Sequence, residues 1–324
     1  MIERLGRRKE EARAGLLLAR AKELTPSTLP GAAVDQLEAA EGAVRLGAIA
    51  AGLARAGADK LTLFLGPQIE AAGPRIAELL GERTRGRVVP IVGELLGRKD
   101  RYADDRLFVS IALTSETPEA ASLAHAGHPL LLRTLADASE IDAELRRWAW
   151  AARVMGALLE VDEGASAAPP SAAPDEEPAL RAPGLSLFAA RGHAQVLRKA
   201  AGTLGAQVAA SAAGWIAAHL ALADTGEFVA LLGELALLPQ ARGVQAAIRD
   251  ATRLACTAGL HLRSAGRLEE AVGGNFLLLG GADSIRADFA VLLSRGRRAL
   301  RIECDGGPGT ILEALLAAVK MISR

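Results

Sequence analysis

The chain has 324 residues, 50% hydrophobic, 3% aromatic and 23% charged, with 38 Lys+Arg balancing 38 Asp+Glu to a formal net charge of +0. This composition excludes disorder over most of the length, and a chain of about two domains can bury on the order of 75% of its unfolded surface. It also excludes nucleic acid as a partner, because neither a basic face nor a supply of stacking aromatics is present.

With so few aromatics the core is Leu, Val, Ile and Ala, which favours closely packed helices. Cys256 and Cys304 lie far apart with no metal-ligand spacing, so neither a disulfide framework nor a zinc site is expected, and a reduced, cytoplasmic setting fits. The opening run MIERLGRRKEEARAGLLLAR mixes acids into its basic residues and has no cleavage-like small-residue site. Residues 1–30 therefore read as a charged amphipathic helix and not a secretory leader.

From Asp35 onward, short apolar runs alternate with longer alanine-rich segments, which predicts an α/β fold with a mainly parallel sheet and helical crossovers. The predicted strands are LTLFL at Leu61, VVPIV at Val88, LFVSIAL at Leu107, LLLR at Leu130, FVALL at Phe228, LHLR at Leu260, NFLLL at Asn275 and ALRIE at Ala299. Most are apolar throughout, as strands covered on both faces are. Helices are expected over Asp35 to Ala56, Glu140 to Leu159, Gln195 to Ala223, Ala241 to Ala258 and Thr310 to Met321, the last with Thr310 as N-cap. The segment from Ala206, AQVAASAAGWIAAHLALA, is long enough to span a bilayer, but Gln207, Ser211 and His219 interrupt it, so a buried soluble helix is expected and no membrane contact. DEGASAAPPSAAPDEEPALRAPG, from Asp162 to Gly184, reads as a linker or long surface loop. It divides the chain into a first half, 31–161, and a second, 185–324, whose strands could still share one sheet.

Ligands of open parallel sheets collect beyond the carboxyl ends of the strands. Gly93-Glu94 follows VVPIV, and a glutamate there could act as a general base if burial raises its pKa; a solvated loop acid accounts for the same letters. Thr114-Ser115-Glu116-Thr117-Pro118 follows LFVSIAL, where hydroxyls and free amides could hold a phosphate; an ordinary helix cap also explains them. DGGPGT at Asp305 lacks the lysine of a phosphate loop and reads as a tight connection. His125, His128, His193, His219 and His261 show no metal spacing. Asp104-Asp105-Arg106 reads as a solvated or paired turn, and Arg295 to Arg298 as a small surface patch.

The run from Ala58, with DKLTL, VVPIVGE and DDRLFV in order, resembles the glucose-6-phosphate isomerase portion of bacterial transaldolase/glucose-6-phosphate isomerase fusion proteins. AGHPLLL at Ala126, RRWAWAARVMGALL at Arg146, GEFVALLGEL at Gly226 and GLHLRSAGRLEEAVGGNFLLL at Gly259 extend the resemblance over most of the chain beyond Gly31. The resemblance implies sugar-isomerase architecture, a parallel sheet between helical layers. It also implies aldose-ketose isomerisation of a hexose 6-phosphate through an enediol, with Glu94 as the base, and no cofactor. Gly93, Thr114, Ser115 and Thr117 are then the candidate substrate-binding residues.

Departures are equally specific. Leu95 stands where the family has proline, Glu269 and Glu270 stand in the neighbourhood of its HSTGQLHKGG segment, and the family's lysine-bearing helix has no counterpart before the Pro/Ala segment. Only some thirty residues, many of them charged, precede the matching region, where relatives carry a phosphate-gripping domain. Losing a general acid or base commonly costs 10²–10⁴-fold. The expectation is therefore an isomerase-like protein of reduced, partner-dependent or lost activity, with a non-catalytic sugar-phosphate-binding or assembly role as the alternative, and a homo-oligomer or partner subunit completing it.

Overall fold

The computed structural model describes residues 32–114, 123, 126–161, 176–305 and 307–323. Helix α1 (Ala32–Arg55) leads into β1 (Lys60–Leu65), α2 (Gly73–Thr84), β2 (Val89–Ile91), β3 (Arg106–Leu113), β4 (Leu130–Leu135) and α3 (Ile141–Leu158). These strands form one four-stranded sheet of order β2-β1-β3-β4, parallel throughout. Pro90 lacks an amide hydrogen, and β2 accordingly sits at the sheet's edge.

A hairpin of β5 (Glu176–Ala182) and β6 (Leu185–Ala190) opens the second half, followed by α4 (Arg191–Thr203), α5 (Ala206–Ala209), α6 (Ala212–Ala221), β7 (Phe228–Leu232), α7 (Pro239–Thr252), β8 (Ala255–Gly259), β9 (Gly274–Leu279), α8 (Asp283–Ser294), β10 (Arg298–Cys304) and α9 (Pro308–Ile322). The second sheet has the order β5-β6-β10-β9-β7-β8; β8, β7, β9 and β10 run parallel, and the hairpin adds antiparallel at the β10 edge. The α/β class and the mainly parallel, helix-flanked sheets agree with the sequence expectation, and each half carries a sheet of its own.

Several elements differ from expectation for local reasons. Residues 176–182 of the linker-like segment form β5, because Pro183-Gly184 makes the two-residue turn that pairs them with the alternating LSLFAA of β6, with Gly184 at φ 73°. The helix expected over Gln195 to Ala223 is broken at Gly205, φ 113°, into three pieces. The one expected over Ala241 to Ala258 stops at Thr252, where Arg253 turns left-handed, leaving Ala255–Gly259 as the strand and Leu260 to Arg263 as the turn after it. Gly307 and not Thr310 caps α9, since Pro308 occupies its first turn.

The two halves repeat one plan. In each, a helix (α1, α6) precedes a strand (β1, β7), a short 3-10 turn and a helix with proline in its first turn (α2, α7) lead to a second strand (β2, β8), a long loop crosses to a third (β3, β9), and a fourth (β4, β10) runs into a closing helix (α3, α9). The opening and closing helices pack together in both, and the parallel strands are ordered second-first-third-fourth in both. The ends of α2 and α7 match residue for residue. Arg85 and Arg253 are left-handed C-caps whose amides bond four residues back, and Thr84 and Thr252 return their hydroxyls to the carbonyls of Leu80 and Ile248.

The equivalent strands β2 and β8 lie against each other, so the halves meet along a seam. The Val92 amide donates to Thr257 Oγ1 at 3.2 Å, and Gln245 Nε2 donates to Val92 O at 3.3 Å and Cys256 O at 3.2 Å. Each half extends the loop after its second strand beneath the other's proline-led helix. A Cβ on Gly81 of α2 would lie 2.1 Å from Gly266 O, and one on Gly97 would lie 2.1 Å from Arg249 Nη2 of α7.

A buried carboxylate between two arginines as candidate functional site

Side chains alternate across β1 and β3. Leu61, Leu63, Leu107, Val109 and Ile111 point into the apolar core with α1, α2 and α3. The opposite face of the same strands carries Lys60, Thr62 and Phe64 on β1 and Arg106, Phe108 and Ser110 on β3, in matching register. All but Phe64 are buried, so one face of the first sheet is a polar interior surface.

The loop after β2 covers that surface. Gly93, with φ 79° and the Gln245 amide 3.5 Å from where a Cβ would be, supplies the turn that sends Glu94 inward. Glu94 Oε2 accepts from Arg106 Nη1 at 2.5 Å, and Arg249 Nη1 of α7 stands 3.7 Å from Oε1; both pairs are sealed, the side chains of Glu94 and Arg106 being 0% exposed. Arg249 Nη1 also donates to Leu95 O at 2.5 Å and to Tyr102 Oη at 3.3 Å, while Tyr102 Oη accepts from the Gly97 amide at 2.7 Å. Both guanidinium carbons lie 5.0 Å from the centre of the Tyr102 ring.

Two arginines and one glutamate leave one positive charge in excess. Asp250 meets Arg249 from the surface side, its side chain 47% exposed. Burial pushes the Glu94 carboxyl up, against the pull of Arg106 and then Arg249. Burial likewise raises the Tyr102 phenol and the Cys256 thiol. Glu94 Oε1, Arg106 Nε and Nη2, and Gln245 Oε1 are buried without hydrogen-bond partners among the described residues.

The structure thus separates the residues expected to form one site. Thr114 is exposed at the carboxyl end of β3, its amide and hydroxyl both tied to Leu135 O at 2.8 and 2.9 Å. Arg106 begins the same strand, eight residues or roughly 26 Å away, several times the reach of an arginine side chain. Thr114 and Glu94 therefore do not share a pocket. Ser115 and Thr117 lie outside the described residues, as does His125. Of Asp104-Asp105-Arg106, read as a solvated or paired turn, Asp105 pairs with Lys60 at 3.3 Å, while Arg106 belongs to β3 and is the buried partner of Glu94.

Arg249, Gln245 and Tyr102 were not legible as site residues singly. The available signal was their pattern: Gln245 and Arg249 stand four apart on the same buried face of α7 as Ala241, Val244 and Ile248. Likewise, KLTLFL and RLFVSIAL place Lys, Thr, Arg and Ser on alternate positions.

A second polar cluster lies at the amino end of the second sheet. His193 Nε2 and His219 Nδ1 are 3.0 Å apart near Arg298, which pairs with Glu227. Burial lowers both imidazoles, His193 to about 4 and His219 well below the ordinary range. Among the described residues no group of three His, Cys, Asp or Glu could hold a metal, and no helix is long and apolar enough to cross a membrane. Among the described residues neither Cys256 nor Cys304 forms a disulfide.

No family model and no curated protein matches the chain. Among solved structures it is similar to a hypothetical protein from Thermus thermophilus, at 10% identity over 96% of this chain and 90% of that one, TM-score 0.30. It is also similar to the C-terminal domain of glucosamine-fructose-6-phosphate aminotransferase from Francisella tularensis, at 10% identity over 88% of this chain and 91% of that one, TM-score 0.26. A candidate sugar binding protein from Salmonella typhimurium follows, at 13% identity over 88% of this chain and 98% of that one, TM-score 0.27. At these scores the likenesses carry no functional argument.

Proposed function

We propose that this chain is a sugar-phosphate-binding protein of sugar-isomerase type whose site is the seam between its two α/β units. The observation that carries the reading is Glu94, in the Gly-Glu pair that the sequence resemblance marks, held between Arg106 and Arg249 at the meeting of the two halves. Guanidinium groups match phosphate and carboxylate bidentately, and a sugar phosphate needs only such local donors, so the neutral overall charge is no obstacle. The division into residues 31–161 and 185–324, a cytoplasmic setting and assembly with a second copy or subunit belong to the same proposal; size-exclusion chromatography at several concentrations tests the last, a monomer throughout refuting it.

The test of the binding reading is thermal unfolding with hexose 6-phosphates, inorganic phosphate and unphosphorylated hexose. A ligand that binds the native state raises Tm by mass action. The expected result is a rise with the sugar phosphate beyond that with either fragment; no rise at millimolar concentration overturns the reading.

Isomerisation is the second reading, favoured by one feature: Glu94 Oε1 carries no hydrogen bond, and burial raises the carboxyl towards the range of a working base. As base it would take the proton from the carbon beside the carbonyl and return it to the neighbouring carbon, with Arg106 and Arg249 countering the enediolate charge. The segment at Arg263 supplies no imidazole, and Glu269 is itself pushed up by burial. A coupled assay for fructose 6-phosphate should show turnover that falls by about 10²–10⁴-fold in Glu94→Gln. Turnover equal in the two proteins sinks this reading.

A further inference from the structure

The duplicated plan supplies an internal control for what the seam requires. Four and eight residues before the left-handed C-cap, α2 carries Gly81 and Ala77, while α7 carries Arg249 and Gln245. Both helices end alike and both rest on the other half's crossing loop, Gly81 on Gly266 and Arg249 on Gly97. Small residues therefore suffice to build this contact. Placing a guanidinium and an amide at the same two helical positions costs desolvation that packing alone does not demand, since buried ion clusters replaced by apolar groups are often as stable.

The geometry points to Arg106 and Arg249 as an oxyanion site for a phosphate monoester, in which Glu94 is the resident counter-anion that the incoming phosphate displaces. The two guanidinium groups approach one carboxylate from different units, with Arg106 Nε and Nη2 buried and unpartnered among the described residues, while Asp250 balances Arg249 from the surface side. Glu94 sits on irregular backbone: Gly93 precedes it in a left-handed conformation, and Leu95 follows it at 45% exposure with its carbonyl held by Arg249. Displacement would move Glu94 out of its ion pairs as the phosphate enters. The inference takes its ligand class from the sugar-phosphate reading, but assigns the phosphate to the arginine pair and not to Thr114, which lies at the far end of β3.

The experiment is thermal unfolding of the full chain in inorganic phosphate, comparing wild type with Glu94→Ala, Thr114→Val and the double variant Glu94→Ala/Arg249→Met. Glu94→Ala removes the resident anion and its volume, so it is expected to bind phosphate at least about tenfold more tightly than wild type and to be stabilised accordingly. Thr114→Val is expected to follow wild type, and the double variant, its folding checked by near-ultraviolet circular dichroism, to lose the gain. The inference is overturned if Glu94→Ala binds phosphate no better than wild type, if it stays unfolded even in phosphate, or if the folded double variant binds as Glu94→Ala does. Should phosphate behave as expected while hexose 6-phosphate binds no tighter than phosphate alone, the sugar-phosphate reading fails and the oxyanion site stands.

Discussion

Arg249 of α7 stands where α2 carries Gly81, each four residues before a left-handed arginine C-cap and each resting on the loop of the opposite half. One seam contact is thus built from backbone and methyl groups and its counterpart from a buried ion cluster. The difference sets one side of an otherwise repeated fold apart, and the proposed site lies on that side.

The first prediction concerns the cost of opening that cluster. Arg106→Met leaves the Glu94 carboxylate buried without its closest counter-charge, and breaking such a pair typically costs about 3–5 kcal/mol. Adding Glu94→Gln removes the stranded charge and should return most of the loss. Urea unfolding of the single and double variants measures it, and a single variant within about 1 kcal/mol of wild type would show that Arg106 does not hold Glu94.

A second prediction separates close approach from helix propensity. Gly81→Ala drives a Cβ to 2.1 Å from the backbone carbonyl of Gly266, a contact that only backbone movement relieves, and overpacking of this kind costs about 1–3 kcal/mol. Gly243, exposed on α7 with open space around it, is the contrasting position. There the alanine should add about 0.5–1 kcal/mol by helix propensity. Equal effects at both positions would deny the tight seam contact.

The third prediction is a pH dependence with a definite sign. The folded His193 is lowered to about 4, against 6.5 for free imidazole, and burial lowers His219 as well, so the unfolded chain binds more protons in between. Stability therefore rises with pH across that window: the contribution is complete above about 6.5 and is lost as pH falls towards 4. Between pH 7 and 5 the loss from His193 alone should be about 1–2 kcal/mol, and a His193→Gln variant should show a smaller loss. Unfolding free energies measured at the two pH values decide it, a flat profile in wild type counting against the buried imidazole pair.

A fourth prediction follows from Tyr102, whose ring centre lies 5.0 Å from each guanidinium carbon and whose hydroxyl joins Gly97 to Arg249. Tyr102→Phe keeps the ring and removes those two hydrogen bonds, for an expected loss of about 1–3 kcal/mol. Tyr102→Ala removes the ring too and should cost more, about 3–5 kcal/mol. Denaturant midpoints in the reverse order would mean that the ring does not carry the cluster.

Much of the architecture was legible in the chain itself. Leu61, Val109, Leu231 and Leu277 sit in continuous apolar runs because their strands are covered on both faces, and such runs announce themselves within five or six residues. The β5–β6 hairpin and the edge position of β2 were not expected: the Pro/Ala composition reads as a linker, although Pro183-Gly184, the alternation of LSLFAA and Pro90 carry the signal in retrospect. Gly93-Glu94 could be singled out as a turn followed by an acid.

Tertiary structure alone decided what that acid meets. Arg106 is twelve residues from Glu94 along the chain and Arg249 lies in the other half, so no local pattern ties the three together. Thr114 shows the same in reverse: it adjoins the first sheet, but the length of β3 holds it and Arg106 at opposite ends. Local runs fix which segments become strands, because burial on two faces demands apolar side chains there. The partners of a buried charge are fixed by how the two sheets meet along β2 and β8, a long-range contact that only the folded chain contains.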